Sequence, residues 1–123
     1  MEVNKVTEII LKCAFKVHSE LGPGLLESAY EECLFYELKN EGVWVEKQKG
    51  LPLIYDSIKL DVGYRVDLLV ENKVIVEIKA LDGIHDIHLA QVLTYLKLSK
   101  CKIGLILNFN VTSLKNGIRR VAN

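Results

Sequence analysis

A chain of 123 residues, half of them hydrophobic, can bury roughly two thirds of its unfolded surface as one domain without a disulfide or metal staple. Sixteen basic residues balance sixteen acidic ones, which excludes a global positive field as the means of holding nucleic acid and leaves only local patches. No uninterrupted apolar run approaches the roughly 18 residues of a membrane span, and three cysteines without a CxxC pair suit reduced thiols, so a single cytoplasmic domain over residues 1–123 is expected, with no membrane partner.

Val6, Ile9, Ile10, Cys13 and Val17 recur at helical spacing, and Leu21-Gly22-Pro23-Gly24 supplies a stop. Leu26, Ala29, Tyr30, Cys33, Leu34 and Leu38 repeat the pattern and end near Gly42, so two helices open the chain. From Val43 the period changes. The chain becomes rich in β-branched and aromatic residues, with breaks at Gly50, Asp56-Ser57 and Glu71-Asn72-Lys73, which predicts strands over roughly 44–55, 59–70 and 74–80. Asp86 is the expected N-cap of a helix reaching about Ser99, with Leu89, Val92, Leu93 and Leu96 as its apolar face. Ile103 to Phe109 reads as a strand covered on both faces, and Gly117 to Val121 as a last edge strand. A helix crossing from the third strand to the fourth favours a parallel pair, so the fold class is α/β with a mixed sheet flanked by helices. Cys13, Cys33 and Cys101 read as small buried hydrophobes.

The segment DLLVENKVIVEIKA, residues 67–80, places charges at the open end of an apolar hairpin. With Glu71, Asn72 and Lys73 as a three-residue loop, Val70 faces Val74, Leu68 faces Val76 and Val66 faces Ile78 on one apolar face. The other face pairs Leu69 with Ile75, Asp67 with Glu77, and Arg65 with Lys79. A two-residue loop would scramble both faces. Opposed Cβ atoms lie ~5 Å apart, and two carboxylates about 4 Å apart repel by about 4 kcal/mol at an effective dielectric near 20. Arg65 and Lys79 can offset this as an ion-pair network, or a divalent cation can sit between the oxygens. Taken alone, the hairpin favours the network, because structural ion pairs are common. Two placements shift that balance. Glu27 projects at about the same angle as Leu34 and Leu38, inside an apolar arc where an unpaired acid is costly. Ile84, His88, Gln91 and Tyr95 form a line at spacings of three and four, apart from the core stripe of their helix.

Asp67, nine residues, then Glu77-Ile78-Lys79 resembles the D…(D/E)xK signature of the PD-(D/E)XK nuclease superfamily. Gly24-Leu25-Leu26-Glu27-Ser28-Ala29-Tyr30 matches GxxExxY, the label of a small prokaryotic family placed in that superfamily, and Gln91-Val92-Leu93-Thr94-Tyr95 is similar to the QxxxY motif of its RecB-type branch. The likeness covers nearly the whole chain and departs from the signature in having Val66 where the proline stands. It implies a restriction-endonuclease-like core and a nuclease acting on DNA rather than RNA, with Mg²⁺ or Mn²⁺ as cofactor. Asp67 and Glu77 would ligate the metal, with Glu27 adding a direct or water-mediated ligand. Lys79 would orient or deprotonate the attacking water, while Gln91 and Tyr95 would position water or the backbone phosphate. Tyr30, Arg65 and His88 complete the expected substrate contacts. A chain this small is also a candidate homodimer, since it carries no added substrate-binding domain.

Three features are set aside. His85 and His88 with Asp82 and Asp86 lack a third histidine or cysteine at zinc-like spacing. Trp44 and Tyr55 are expected to pack in the core or on the sheet surface rather than stack bases. Arg119, Arg120 and Lys115 read as a solvated tail. The competing reading is a catalytically inactive domain that binds nucleic acid or a protein partner, in keeping with the zero net charge. An unrelated domain with a structural ion-pair network would instead keep Glu27 far from Asp67.

Overall fold

The computed structural model describes residues 1–123, apart from the side chain of Val62. Helices α1 (Val3–Leu21) and α2 (Glu27–Asn40) come first, then strands β1 (Val45–Tyr55), β2 (Ile58–Val70) and β3 (Val74–Lys79), helix α3 (Asp86–Ser99) and strand β4 (Ile103–Asn108). A single 3-10 turn over Leu114–Gly117 leads into β5 (Ile118–Ala122). The five strands form one sheet in the order β1-β2-β3-β4-β5. All neighbours are antiparallel except β3 and β4, whose parallel pairing is what the α3 crossover permits. The mixed sheet read from the sequence is therefore the one the chain forms, and the tail does supply the edge strand.

Both faces of the sheet are covered. On one side Val6, Ile10 and Val17 of α1 and Tyr30, Leu34 and Leu38 of α2 pack with Leu68, Val70, Val74, Val76, Leu105 and Leu107. On the other, Val92, Tyr95 and Leu96 of α3 pack with Leu69, Ile75 and Ile106. That burial on two sides is why β3 and β4 read as nearly continuous apolar runs. Gly104 belongs to the same fit: a Cβ there would stand 2.7 Å from Val92 Cγ1, so α3 can approach β4 only over a glycine.

Several expectations shift. His85, not Asp86, is the N-cap of α3, and Asp86 is its first helical residue. Leu89 and Leu93 are only half-buried, while Tyr95 is buried, so the aromatic belongs to the core arc of α3 rather than to a separate polar line. Trp44 and Tyr55 are exposed, Trp44 just ahead of β1 and Tyr55 at the far end of β1, beyond the stretch where β2 pairs with β3 through Leu68, Leu69 and Val70. The rest of the β1–β2 hairpin stands free of β3 as a two-stranded ribbon, with Leu51 opposite Tyr64, Leu53 opposite Leu60 and Tyr55 opposite Ile58. Of the cysteines, Cys13 and Cys101 are buried and Cys33 is half-buried; all are free thiols, and burial pushes the Cys13 thiol up to about 11. No described helix is long and apolar enough to cross a membrane.

Candidate active site

The apolar pattern dictates the β2–β3 register, and the ladder runs as it requires: Val70 opposite Val74, Leu69 opposite Ile75, Leu68 opposite Val76. There it stops. β2 continues with β1, setting Val66 opposite Lys49 and Arg65 opposite Gly50, while β3 continues with β4 as far as Lys79 opposite Asn108. Arg65 and Lys79 thus lie in different ladders and do not face each other as the simple hairpin implied. The strict alternation of β2 breaks at the same point. Val66 packs with Leu69 and Ile75 on the α3 side, not with Leu68 and Ile78 on the other.

A fork in a sheet leaves backbone N–H groups without ladder partners, and such groups must find other acceptors. Here the two acids supply them. The Asp67 N–H donates to Glu77 Oε2 at 2.8 Å, and the Ile78 N–H donates to Asp67 Oδ2 at 2.8 Å. Each carboxylate is held by the backbone of the opposite strand, which fixes both at the mouth of the fork. Asp67 and Glu77 do converge, through side-chain-to-backbone bonds rather than as a ladder pair.

Glu77 is only 5% exposed. Burial first, then the charge of Asp67, raise its pKa from 4.5 to about 7, against the opposing pull of the Asp67 N–H and the Lys79 ammonium. The five ion pairs among the described residues join Lys5 to Glu8, Lys12 to Glu41, Lys16 to Glu37, Lys47 to Glu32 and Lys49 to Glu46. None includes Asp67, Glu77, Arg65 or Lys79. A structural ion-pair network is thus not what offsets the carboxylate repulsion. Lys79 is half-buried and alternates onto the same side of β3 as Glu77. The segment beyond it is clamped by the buried Asn108, whose Oδ1 accepts the Leu81 N–H at 3.1 Å and whose Nδ2 donates to Leu81 O at 3.1 Å.

From the α2 side an acid does reach Asp67, but it is Glu31. Burial and the neighbouring charge of Asp67 push its carboxyl up, and Gln48 Nε2 donates to both Glu31 Oε1 (2.7 Å) and Asp67 Oδ1 (3.2 Å). Gln48 reaches both from a left-handed backbone conformation, φ 54°, unusual for a residue other than glycine. Glu27 is the first residue of α2 and exposed, outside the buried arc of Tyr30, Leu34 and Leu38. Its Oε2 accepts the Ala80 N–H at 3.0 Å, one residue past Lys79. Glu31 lies one turn on from Glu27, and that i, i+4 relation was the signal available for it. Nothing in the sequence singled out Gln48 or Asn108.

The remaining expected residues divide. Tyr30 is fully buried, stacks on Phe109 at 4.5 Å, donates to Gly22 O at 2.5 Å and accepts the Leu25 N–H at 3.1 Å. With no exposed surface and its hydroxyl used by backbone, it cannot touch a substrate as expected; it closes the Gly22–Leu26 loop that delivers Glu27. His88 uses Nδ1 to accept the His85 N–H at 3.0 Å, which ties it to the start of α3. Arg65 is exposed on β2. Tyr95 packs with Val66 and Ile75 beside the fork, and burial, then the charge of Glu77, then Tyr64 and Asp67 push its phenol up. Gln91, one turn earlier, is exposed and lines a small cleft with Tyr95 and Tyr64.

A family model of the PD-(D/E)XK nuclease superfamily matches residues 4–121. The chain belongs to the PD-(D/E)XK nuclease superfamily. Comparisons with curated proteins and with solved structures give no match. The mixed sheet flanked by helices is accordingly a restriction-endonuclease-like α/β fold, and the matched span includes the fork with Asp67, Glu77 and Lys79, whose spacing resembles the D…(D/E)xK signature. PD-(D/E)XK nucleases typically use divalent metals, and this site has the donor chemistry for one. Among the described residues no three His, Cys, Asp or Glu side chains are gathered to hold an ion by themselves. Two carboxylates suffice for Mg²⁺, which retains water and takes phosphate oxygens, and an all-oxygen set suits Mg²⁺ or Mn²⁺ over softer metals.

Proposed function

We propose that this PD-(D/E)XK domain is an active nuclease, a metal-dependent phosphodiesterase that cleaves DNA in preference to RNA with Mg²⁺ or Mn²⁺. The observation that carries the reading is the fork: a buried acid pushed up to about 7 stands against a second acid, and no ion pair among the described residues offsets their charge. A cation between them would favour the ionised form of both.

Asp67 and Glu77 would hold the ion, with Glu31 the better placed third acid and Glu27 bracing the end of β3 beside Lys79. When bound, the metal lowers the pKa of water and polarises the phosphate. The Lys79 ammonium, on the Glu77 side of β3, would orient the attacking water and offset the charge gathering on the phosphoryl oxygens. The Tyr95 hydroxyl, buried close to Glu77, would donate to the water or the phosphate, and Gln91 would hold the strand at the rim. Within the superfamily we assign the chain to the GxxExxY group, with the RecB-like QxxxY pair. The motif residues that support this are Gly24 (φ +97°), Tyr30 closing the loop behind Glu27, and Gln91 and Tyr95 one turn apart.

The test is hydrolysis of DNA in Mg²⁺ or Mn²⁺ by wild type, Asp67→Asn and Lys79→Ala, each with its thermal midpoint recorded. Lys79→Ala should lose about 10²- to 10⁴-fold in rate, the range for one acid–base group, and Asp67→Asn should lose cleavage together with metal binding. Glu31→Gln should weaken metal binding more than Glu27→Gln. Variants that cleave like wild type would refute the assignment. A wild type that binds no metal yet retains nucleic acid would favour the inactive binding module.

A further inference from the structure

Beside the carboxylates lies a cleft of about 170 Å³ lined by Leu53, Tyr64, Gln91, Thr94, Tyr95 and Leu98. It is well below the roughly 300 Å³ at which pockets begin to enclose a whole small-molecule ligand, so its scale is that of one planar ring. Its position comes from the fold: Leu53 and Tyr64 belong to the ribbon where β1 and β2 stand free of β3, and the other four belong to α3. Tyr95 joins it to the fork, since its ring packs in one cluster with Val66, the β2 neighbour of Asp67, and with Ile75, two residues before Glu77 on the same face of β3.

None of the six lining side chains carries a formal charge, so the cleft is not built for phosphate, which calls for cations or clustered N–H donors. What it offers is two leucines, two aromatic rings and the Gln91 amide. That amide is exposed, makes no hydrogen bond to the protein among the described residues, and presents a donor and an acceptor together, the pattern of a nucleobase edge. Thr94 spends its hydroxyl on Ala90 O at 3.2 Å and contributes mainly its methyl group. Tyr64 is 44% exposed, so one edge of the cleft is an accessible aromatic surface.

We propose that this cleft is a base-binding subsite, and that the substrate is therefore nucleic acid presented single-stranded, with one unstacked base seated on the exposed ring of Tyr64 while its phosphate meets the acids at the fork. The proposal rests on the nuclease reading for its account of the phosphate. A base inside an intact duplex cannot enter such a cleft without unstacking and unpairing, which costs a few kcal/mol. Single strands and frayed ends escape that cost, and base–aromatic stacking tolerates any sequence.

The experiment measures binding of a labelled single-stranded oligonucleotide, the same strand with one abasic position moved along it, and the blunt duplex, with Ca²⁺ in place of Mg²⁺ to suppress turnover. The single strand should bind more tightly than the duplex, and one abasic placement should weaken wild-type binding about tenfold, in line with the worth of one stacked base. Tyr64→Ala should bind about tenfold more weakly and become indifferent to the abasic position, whereas Tyr64→Phe should restore wild-type behaviour. Equal affinity for duplex and single strand, indifference of the wild type to every abasic placement, or no binding of any probe would overturn the subsite. Hydrolysis of bis(p-nitrophenyl) phosphate in Mn²⁺, a phosphodiester without a base, reports separately on the nuclease reading. A wild type lacking it would count against catalysis while the binding data still decide the subsite.

Discussion

Glu77 carries a cost that the Asp67 N–H and the Lys79 ammonium relieve only in part. Burial and Asp67 hold its carboxyl near pH 7 in the folded chain, whereas the unfolded chain releases that proton near the ordinary value of 4.5. Between those two values the folded state binds the extra proton, so stability falls as pH rises through the interval, and the contribution of this proton is gone above about 7. The shift corresponds to about 3 kcal/mol. Glu77→Gln keeps an Oε acceptor for the Asp67 N–H and removes the charge. Urea unfolding of both proteins should therefore converge near the lower end of the interval and diverge in the variant's favour by about 1–3 kcal/mol near pH 8. A wild type as stable as the variant near pH 8 would show that another group already compensates the acid. The same residue explains why the site was only partly legible. Asp67 and Glu77 sit in one hairpin whose apolar alternation admits a single register, so their proximity follows from local pattern. Glu31 and Gln48 do not, because helix phase alone gives Glu27 and Glu31 nearly the same direction, and a left-handed glutamine has no signature in the sequence.

At the scale of elements, the decisive event is that β2 and β3 part company after three ladder pairs. Strand positions and register could be read from composition and period, since VIV and LLV admit one pairing. The fork could not, because it depends on competition: β1, joined to β2 by a tight turn, holds Arg65 and Val66, while β4, which reaches β3 only after the α3 crossover, holds Glu77 to Lys79. Tyr30 shows a similar limit. Its motif spacing suggested a substrate contact, yet its ring packs on Phe109, nearly eighty positions along the chain, a partner that only the folded topology supplies. The loop between α1 and α2 is held by that hydroxyl, which bridges Gly22 O and the Leu25 N–H. Tyr30→Phe keeps the stack and deletes the bridge, so it should cost about 1–3 kcal/mol in thermal or chemical unfolding. Because Glu27 follows the loop directly, the same variant should also lower the cleavage rate, with substrate binding less affected. Unchanged stability would mean that the loop is held by its backbone alone.

For the whole molecule, the proposed metal site carries a stability prediction: a divalent ion held between two mutually repelling acids would be a structural ligand as well as a chemical one. Anything that binds the folded state alone raises stability by RT ln(1 + [L]/Kd), about 2.7 kcal/mol at a hundredfold excess over Kd. An ion bound there would compete with the proton on Glu77, which is held up to about pH 7. Metal stabilisation must therefore grow as pH rises through that value, the opposite direction to the metal-free protein, whose own stability declines over the same interval. The thermal midpoint measured with and without Mg²⁺ should separate little near pH 5.5 and widely near pH 8, and in Glu77→Gln the two curves should lie close together at both. Calcium, which is held by the same class of oxygen ligands, should reproduce the shift without supporting cleavage, so that stabilisation and turnover are read independently. An equal metal-induced shift at both pH values would place the ion away from Glu77, and the fork between β2 and β3 would lose its role as the metal centre.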